Sequence, residues 1–263
     1  MRIGFLDSGI GGITVLHQSL KFLPNEDYIF YADTLHVPYG EKPKEEVKQY
    51  IFDAVDFIAN QDVKALVIAC NTATSIAVED LRKKYDFPIL GIEPAVKPAV
   101  QNSEEKRKKV LVLATKLTLK EEKFQNLVKS IDNHDIVESL PLPGLVQFAE
   151  EFEFSEDKVL PYLRQQLSIF DLKQFGTIVL GCTHFPYFKS SLQKLLDEDV
   201  DIIDGSVGTA KNLKRILEEN DQMNNGTGNI SFFKSGDKVE DETTLSNYKK
   251  LLTLLDKENS LTK

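Results

Sequence analysis

Short apolar runs recur along the chain, with amphipathic stretches between them. The runs at Arg2–Asp7, 28–33, 65–70, 88–92, 110–115, 177–182 and 200–204 are rich in Ile, Val, Leu and Phe. Several are continuous rather than alternating, the pattern of strands covered on both faces. In the segment 72–85, apolar residues at 73, 76, 77 and 81 form a helical stripe. It closes on Arg82-Lys83-Lys84, cations suited to a helix C-terminus. After Pro186, the spacing of Phe188, Leu192, Leu195 and Leu196 predicts another helix. Strand–helix alternation of this kind predicts an α/β architecture with mostly parallel sheets.

Two stretches interrupt the alternation. Residues 93–109 carry Pro94 and Pro98, then Gln101-Asn102-Ser103 and a charged run over 104–109. This reads as a crossover between domains, with the charges on a solvated surface. Residues 220–229 are rich in Asn and Gly and precede the strand-like Ile230–Lys234. The expected division is a first α/β domain of residues 1–95 plus about 207–263, and a second of 96–206. Across that division, Leu66 to Thr72 and Thr177 to His184 share a plan: an apolar strand, a small residue, a cysteine, then two polar residues.

Composition narrows the classes. The chain has 263 residues, 41% hydrophobic and 28% charged, ordinary for a globular protein large enough to bury a core. Its 32 Lys plus Arg against 41 Asp plus Glu give a net charge of -9, which argues against nucleic acid as a partner. No run reaches the roughly 18 apolar residues of a membrane helix, and no signal-peptide pattern opens the chain. With two cysteines, neither a disulfide scaffold nor a four-thiolate zinc site is available. A cytoplasmic protein with reduced thiols is expected.

Those cysteines carry the chemistry. Cys70 and Cys182 both end strands, where open α/β sheets bind ligands. A free cysteine is often only a small buried hydrophobe. Two in equivalent strand-end positions point instead to a shared site. A redox pair is one reading, although the C-x-x-C spacing is absent. A nucleophilic Cys182 with His184 as base is a second, and it leaves Cys70 without a task. In a third, the thiols flank one ligand carbon: one removes a proton and the other returns one to the opposite face, inverting a stereocentre.

The turn Asp7-Ser8-Gly9-Ile10-Gly11-Gly12 follows the first strand and Asp33 ends the second. Together they approach a dinucleotide fingerprint, but Thr14 stands where its third glycine belongs, and Asp7 would face the pyrophosphate. A tight turn presenting Asp7 and Ser8 to a small ligand fits better. Asn71-Thr72 and Thr183-His184 are placed to open helices, whose N-terminal amides suit a carboxylate and lower a cysteine pKa. His184 is placed to orient or assist Cys182. Pro38-Tyr39-Gly40 is a turn able to close over a ligand.

With these motifs in order, Asp7-Ser8-Gly9 with Gly11-Gly12, Asp33 with Pro38-Tyr39-Gly40, Ala69-Cys70-Asn71-Thr72-Ala73, and Gly181-Cys182-Thr183-His184, the chain resembles the cofactor-independent glutamate racemases over nearly its whole length. The resemblance implies two similar doubly wound α/β domains with the active site in the cleft between them. It implies interconversion of L- and D-glutamate with no pyridoxal phosphate and no metal, feeding bacterial peptidoglycan. Cys70 corresponds to the thiol that works on the D-isomer and Cys182 to the one that works on the L-isomer. Asp7 and His184 correspond to residues assisting the thiols. Ser8, Tyr39, Gly40, Asn71, Thr72, Thr115 and Thr183 correspond to substrate contacts. In the segment from Pro143 to Glu151 the family pattern fits poorly, and Glu150 aligns with an acidic residue near the second cysteine. A homodimer is the expected assembly. Competing readings are a sister racemase for aspartate or a hydantoin, a binding module without catalysis, and a nicotinamide oxidoreductase.

Overall fold

The computed structural model of the protein describes residues 1–261; residues 262 and 263, part of the expected first domain, lie outside the described residues. The chain begins with β1 (Arg2–Asp7), α1 (Ile13–Phe22), β2 (Tyr28–Ala32), α2 (Lys44–Ala59), β3 (Val63–Ile68), α3 (Asn71–Lys84) and β4 (Ile89–Gly91). Next come α4 (Val96–Lys106), β5 (Lys109–Ala114), α5 (Lys116–Lys120), α6 (Glu122–Ile131), β6 (Val137–Pro141), α7 (Pro143–Glu150), α8 (Glu156–Leu167), β7 (Phe175–Gly181), α9 (Lys189–Gln193) and β8 (Asp201–Asp204). It ends with α10 (Ser206–Glu219), β9 (Ile230–Lys234), β10 (Asp237–Lys238) and α11 (Glu242–Leu261). No described helix is long and apolar enough to cross a membrane.

The strands form two sheets, β10-β9-β2-β1-β3-β4 and β6-β5-β7-β8, parallel throughout except at β9–β10. The fold is α/β with mostly parallel sheets, as the alternation predicts. In both sheets the chain steps to one side of the opening strand, then crosses to the other. That reversal opens a crevice at the carboxyl ends of β1 and β3, and of β5 and β7. The likeness extends to register: the pairing of opening and third strands slips between Arg2 and Ile3 in one sheet and between Lys109 and Val110 in the other.

Burial explains the continuous apolar runs. Every residue of β2, β3 and β7 is buried. One apolar core runs from Phe5, Ile13 and Leu16 on the first sheet's side to Leu111, Leu113 and Phe185 on the second's, so the two sheets share it. Separate clusters cover the outer faces, around Ile51 and Leu66 and around Val110 and Val179.

Three differences from the expected elements have local causes. The proline-containing stretch 93–109 holds α4, with Pro98 in its first turn, where its missing N–H costs no helical bond. β6 carries Glu138 and Pro141, which its edge position tolerates. The helix expected after Pro186 is a 3-10 turn, Phe185–Phe188, followed by the short α9, because Phe188 (φ -118°, ψ 16°) leaves helical geometry; Leu195 and Leu196 lie beyond it.

Candidate active site

The two crevices face each other and the site forms between them. At the end of β1, Asp7 is fully buried. Its carboxylate accepts the Gly9 amide (3.1 Å) and the Thr183 hydroxyl (3.1 Å), so one side chain joins both strand-end loops. Burial pushes its pKa up to about 6, helped by the charge of Glu150 and opposed by His184 and the Gly9 and Gly12 amides.

The glycines of this turn answer to packing, not to a phosphate. A Cβ on Gly9 would stand 1.9 Å from Glu150 Oε1, and one on Gly11 would stand 2.5 Å from both His184 Nδ1 and Thr183 Oγ1. Thr14, the residue that breaks the dinucleotide pattern, donates its hydroxyl to the Thr183 carbonyl (3.1 Å). Asp33 accepts Tyr39 Oη (2.6 Å), Ser235 Oγ (2.9 Å) and His36 Nδ1 (2.9 Å); it holds the Pro38–Gly40 turn rather than a ribose.

Cys70 (6% exposed) sits just after β3 as the N-cap of α3. Its sulfur accepts the Ala73 amide (3.5 Å) and lies 3.9 Å from Ser8 Oγ. The sequence predicts a thiol acidified by the helix terminus. In the structure burial outweighs that amide, and with the nearby Asp7 charge it drives the Cys70 pKa well up. That environment favours the thiol form of Cys70.

Cys182 (7% exposed) follows β7 and has a different neighbour. No α-helix begins there; His184 precedes the 3-10 turn, and its Nδ1 lies 3.6 Å from Cys182 Sγ. Its Nε2 lies 2.6 Å from Glu150 Oε1, which also accepts the Ile10 amide (2.9 Å). Burial alone would lower the His184 pKa, but the bonds to Cys182 and Glu150 outweigh it and raise it well above the imidazole range.

Cys70 and Cys182 line one narrow, partly open pocket, together with Ser8, Tyr39, Gly40, Asn71, Thr72, Thr115, Thr183 and His184. Every residue the sequence put in contact with substrate is there except Asp7, which with Glu150 stands behind the lining. Val146 and Pro38 also line it. Thr118 supports it: its hydroxyl, those of Thr72 and Thr115, and all three mutual distances of 3.0 Å form a triangle spanning both halves. Neither Val146 nor Thr118 carries a sequence signal beyond an apolar or helix-start position. Asn71 Oδ1 is buried with no hydrogen-bond partner among the described residues, an acceptor open to a ligand.

Fold and site thus define an α/β enzyme with a polar cavity and two thiols between similar halves. Residues 16–212 match the Asp/Glu/Hydantoin racemase family, and the chain belongs to that family, as an amino-acid racemase. It is 65% identical over 256 residues to Glutamate racemase 2 of Bacillus subtilis (strain 168), covering 97% of each chain. Among solved structures it is similar to the glutamate racemase of Francisella tularensis in complex with D-glutamate (TM-score 0.80, 30% identity, 96% of this chain and 93% of that one). It is also similar to the Escherichia coli glutamate racemase in complex with L-glutamate and the activator UDP-MurNAc-Ala (TM-score 0.74, 31% identity, 82% of each chain).

Proposed function

We propose that the chain interconverts L- and D-glutamate without a cofactor by moving protons between two thiols. The observation that carries this reading is the cavity itself: both cysteines of the chain line it at equivalent strand ends, Cys182 beside His184 (3.6 Å) and Cys70 within reach of the Asp7 charge. Binding of L- and D-glutamate by the E. coli and Francisella relatives supports the substrate.

In the L-to-D direction, the Cys182 thiolate, paired with the His184 imidazolium, takes the α-proton. The Cys70 thiol gives its proton to the opposite face of the carbon. D-glutamate leaves, with Cys182 now a thiol and Cys70 a thiolate. Exchange through His184 on one side and Asp7 on the other resets the pair; an Asp7 pKa of about 6 suits it to pass a proton near neutral pH. The D-to-L direction runs the same steps backward. Charge developing on the α-carbon and its carboxylate is met by donors around the narrow pocket. Ser8, Thr72, Thr115, Thr183, Tyr39 and the Gly40 backbone surround the substrate, and Asn71 Oδ1 accepts from its ammonium group. Glu150 holds His184.

The domain division, residues 1–95 with about 207–263 and residues 96–206, is part of the proposal. It is supported by sheet membership: β1–β4, β9 and β10 in one, β5–β8 in the other. We place the reaction in the cytoplasm, where two reduced thiols persist, and its product in bacterial peptidoglycan. The muramyl nucleotide that activates the E. coli relative supports that destination. The proposed assembly is a homodimer, measurable by sedimentation velocity.

The test is incubation of the purified protein with L-glutamate in deuterated water. Rotation should vanish as deuterium enters the α-carbon, and Cys70→Ser and Cys182→Ser should each abolish racemisation with the circular dichroism unchanged. Full activity in either variant sinks the two-thiol scheme. Inertness toward glutamate with turnover of L-aspartate would move the substrate to the shorter acid.

A further inference from the structure

Tyr187 is buried (2% exposed) in the 3-10 turn after His184, and it does not line the cavity. Its hydroxyl donates to the Ile10 carbonyl (2.9 Å), across the boundary between the two sheets. The Ile10 amide donates to Glu150 Oε1 (2.9 Å), and the same oxygen meets His184 Nε2 (2.6 Å). His184 in turn faces Cys182. The Tyr187 amide returns to the His184 carbonyl (3.4 Å), which closes a ring: Tyr187, Ile10, Glu150, His184 and back to Tyr187.

Three features make this ring more than packing. Glu150 lies at the C-terminal end of α7, and its hydrogen bonds run to Ile10 and His184. The Gly9–Ile10 backbone approaches it so closely that a methyl on Gly9 would collide with the carboxylate. Ile10 in turn is fixed from the far side by the Tyr187 hydroxyl, whose ring is wedged against Phe154 (centroids 5.6 Å apart).

We infer that Tyr187 is a positioning residue: through Ile10 it places Glu150, and through Glu150 it sets the orientation of His184 toward Cys182. This deepens the proposed racemase mechanism and rests on it for its catalytic consequence. The charged and titratable groups around the ring are Asp7 from β1, Glu150 from α7, Cys182 after β7 and Tyr248 from α11.

Tyr187→Phe keeps the ring, deletes the hydroxyl and leaves the Ile10 carbonyl with the Ile13 amide (3.2 Å) but without its cross-sheet donor. The His184 titration is followed by nitrogen NMR on histidine-labelled protein, with the four histidines assigned through a His184→Asn variant. His184 should titrate lower in Tyr187→Phe than in the wild type. kcat for glutamate should fall about five- to fifty-fold, the range of one lost buried hydrogen bond, with KM little changed. In a Glu150→Gln background, Tyr187→Phe should cost almost nothing more, since the two act in series. An unchanged His184 titration, or losses that simply multiply, would overturn the inference. Fluorotyrosine at position 187 keeps the hydroxyl and serves if Tyr187→Phe does not fold: its fluorine resonance should move when Glu150→Gln opens the ring, and constancy counts against the coupling. Absence of glutamate turnover in the wild type refutes the proposed reaction, while the NMR results still decide the role of Tyr187.

Discussion

At the scale of the residue, Asp7 shows the tension between stability and function. Its pKa rises from 3.8 to about 6 because it is buried beside Glu150. A raised carboxyl pKa means the fold favours the protonated form. The stabilisation is complete below the ordinary carboxylate range and is lost as pH rises through about 6. At neutral pH the ionised side chain then costs the fold up to about 3 kcal/mol. Asp7→Asn should therefore unfold at higher temperature than the wild type around pH 7.5, with the gain gone around pH 4. Its racemase activity should fall in the same preparation. An equal gain at both pH values would show that charge is not the cause. The cysteines were legible from sequence because they are few and end strands in matching contexts. Their contrasting surroundings, burial that raises the Cys70 pKa and a His184 whose pKa is raised by its bonds to Cys182 and Glu150, were not, because burial and the Glu150 contact come from remote segments.

At the scale of the element, the loops after the strands matter more than the strands. The apolar runs gave β1 and β2 nearly to the residue, because strands buried on both faces leave a continuous pattern, and β9 was equally legible from its Ile-Ser-Phe-Phe run although it is only partly buried. β6 escaped notice since an edge strand can carry Glu138 and Pro141, and α4 did since two prolines at its start look like a break. The bond from Tyr187 to Ile10 has no local signal at all; it exists only once the two halves meet. The Gly9 turn offers a direct check. Gly9→Ala must displace Glu150 Oε1, and a shift of that size at a proton-transfer site should lower kcat by about tenfold to a hundredfold. Activity within twofold of wild type would mean that Glu150 has room to retreat. At the opposite end of the first sheet, Lys64 and Glu26 are both buried and 2.6 Å apart, and Lys64 also donates to the Gln222 carbonyl. Removing one partner strands the other charge, so Lys64→Ala should destabilise by about 3–5 kcal/mol in urea unfolding. Activity per folded molecule should be preserved, since the pair lies far from the thiols along the strands.

At the scale of the whole molecule, the two sheets share one apolar core and are tied by Asp7 to Thr183, Ile10 to Glu150 and Lys44 to Glu121 (2.6 Å). Calorimetry should show a single unfolding transition with calorimetric and van't Hoff enthalpies in agreement. Two resolved transitions would mean that the halves are stable apart. The two sheets, which share the order of four strands (β2-β1-β3-β4 and β6-β5-β7-β8) and the same slip in register, nevertheless surround their cysteines differently: Ser8 and the Ala73 amide at Cys70, His184 backed by Glu150 at Cys182. Mirror-image amino acids have equal free energies, so a racemase faces an equilibrium constant of one. The Haldane relation then requires kcat/KM to be the same in both directions, however unlike the two sides of the site. The asymmetry can appear only as compensating differences in kcat and KM. The protein equilibrates the two enantiomers, and any lasting departure from equal amounts must come from another reaction that consumes or supplies one of them.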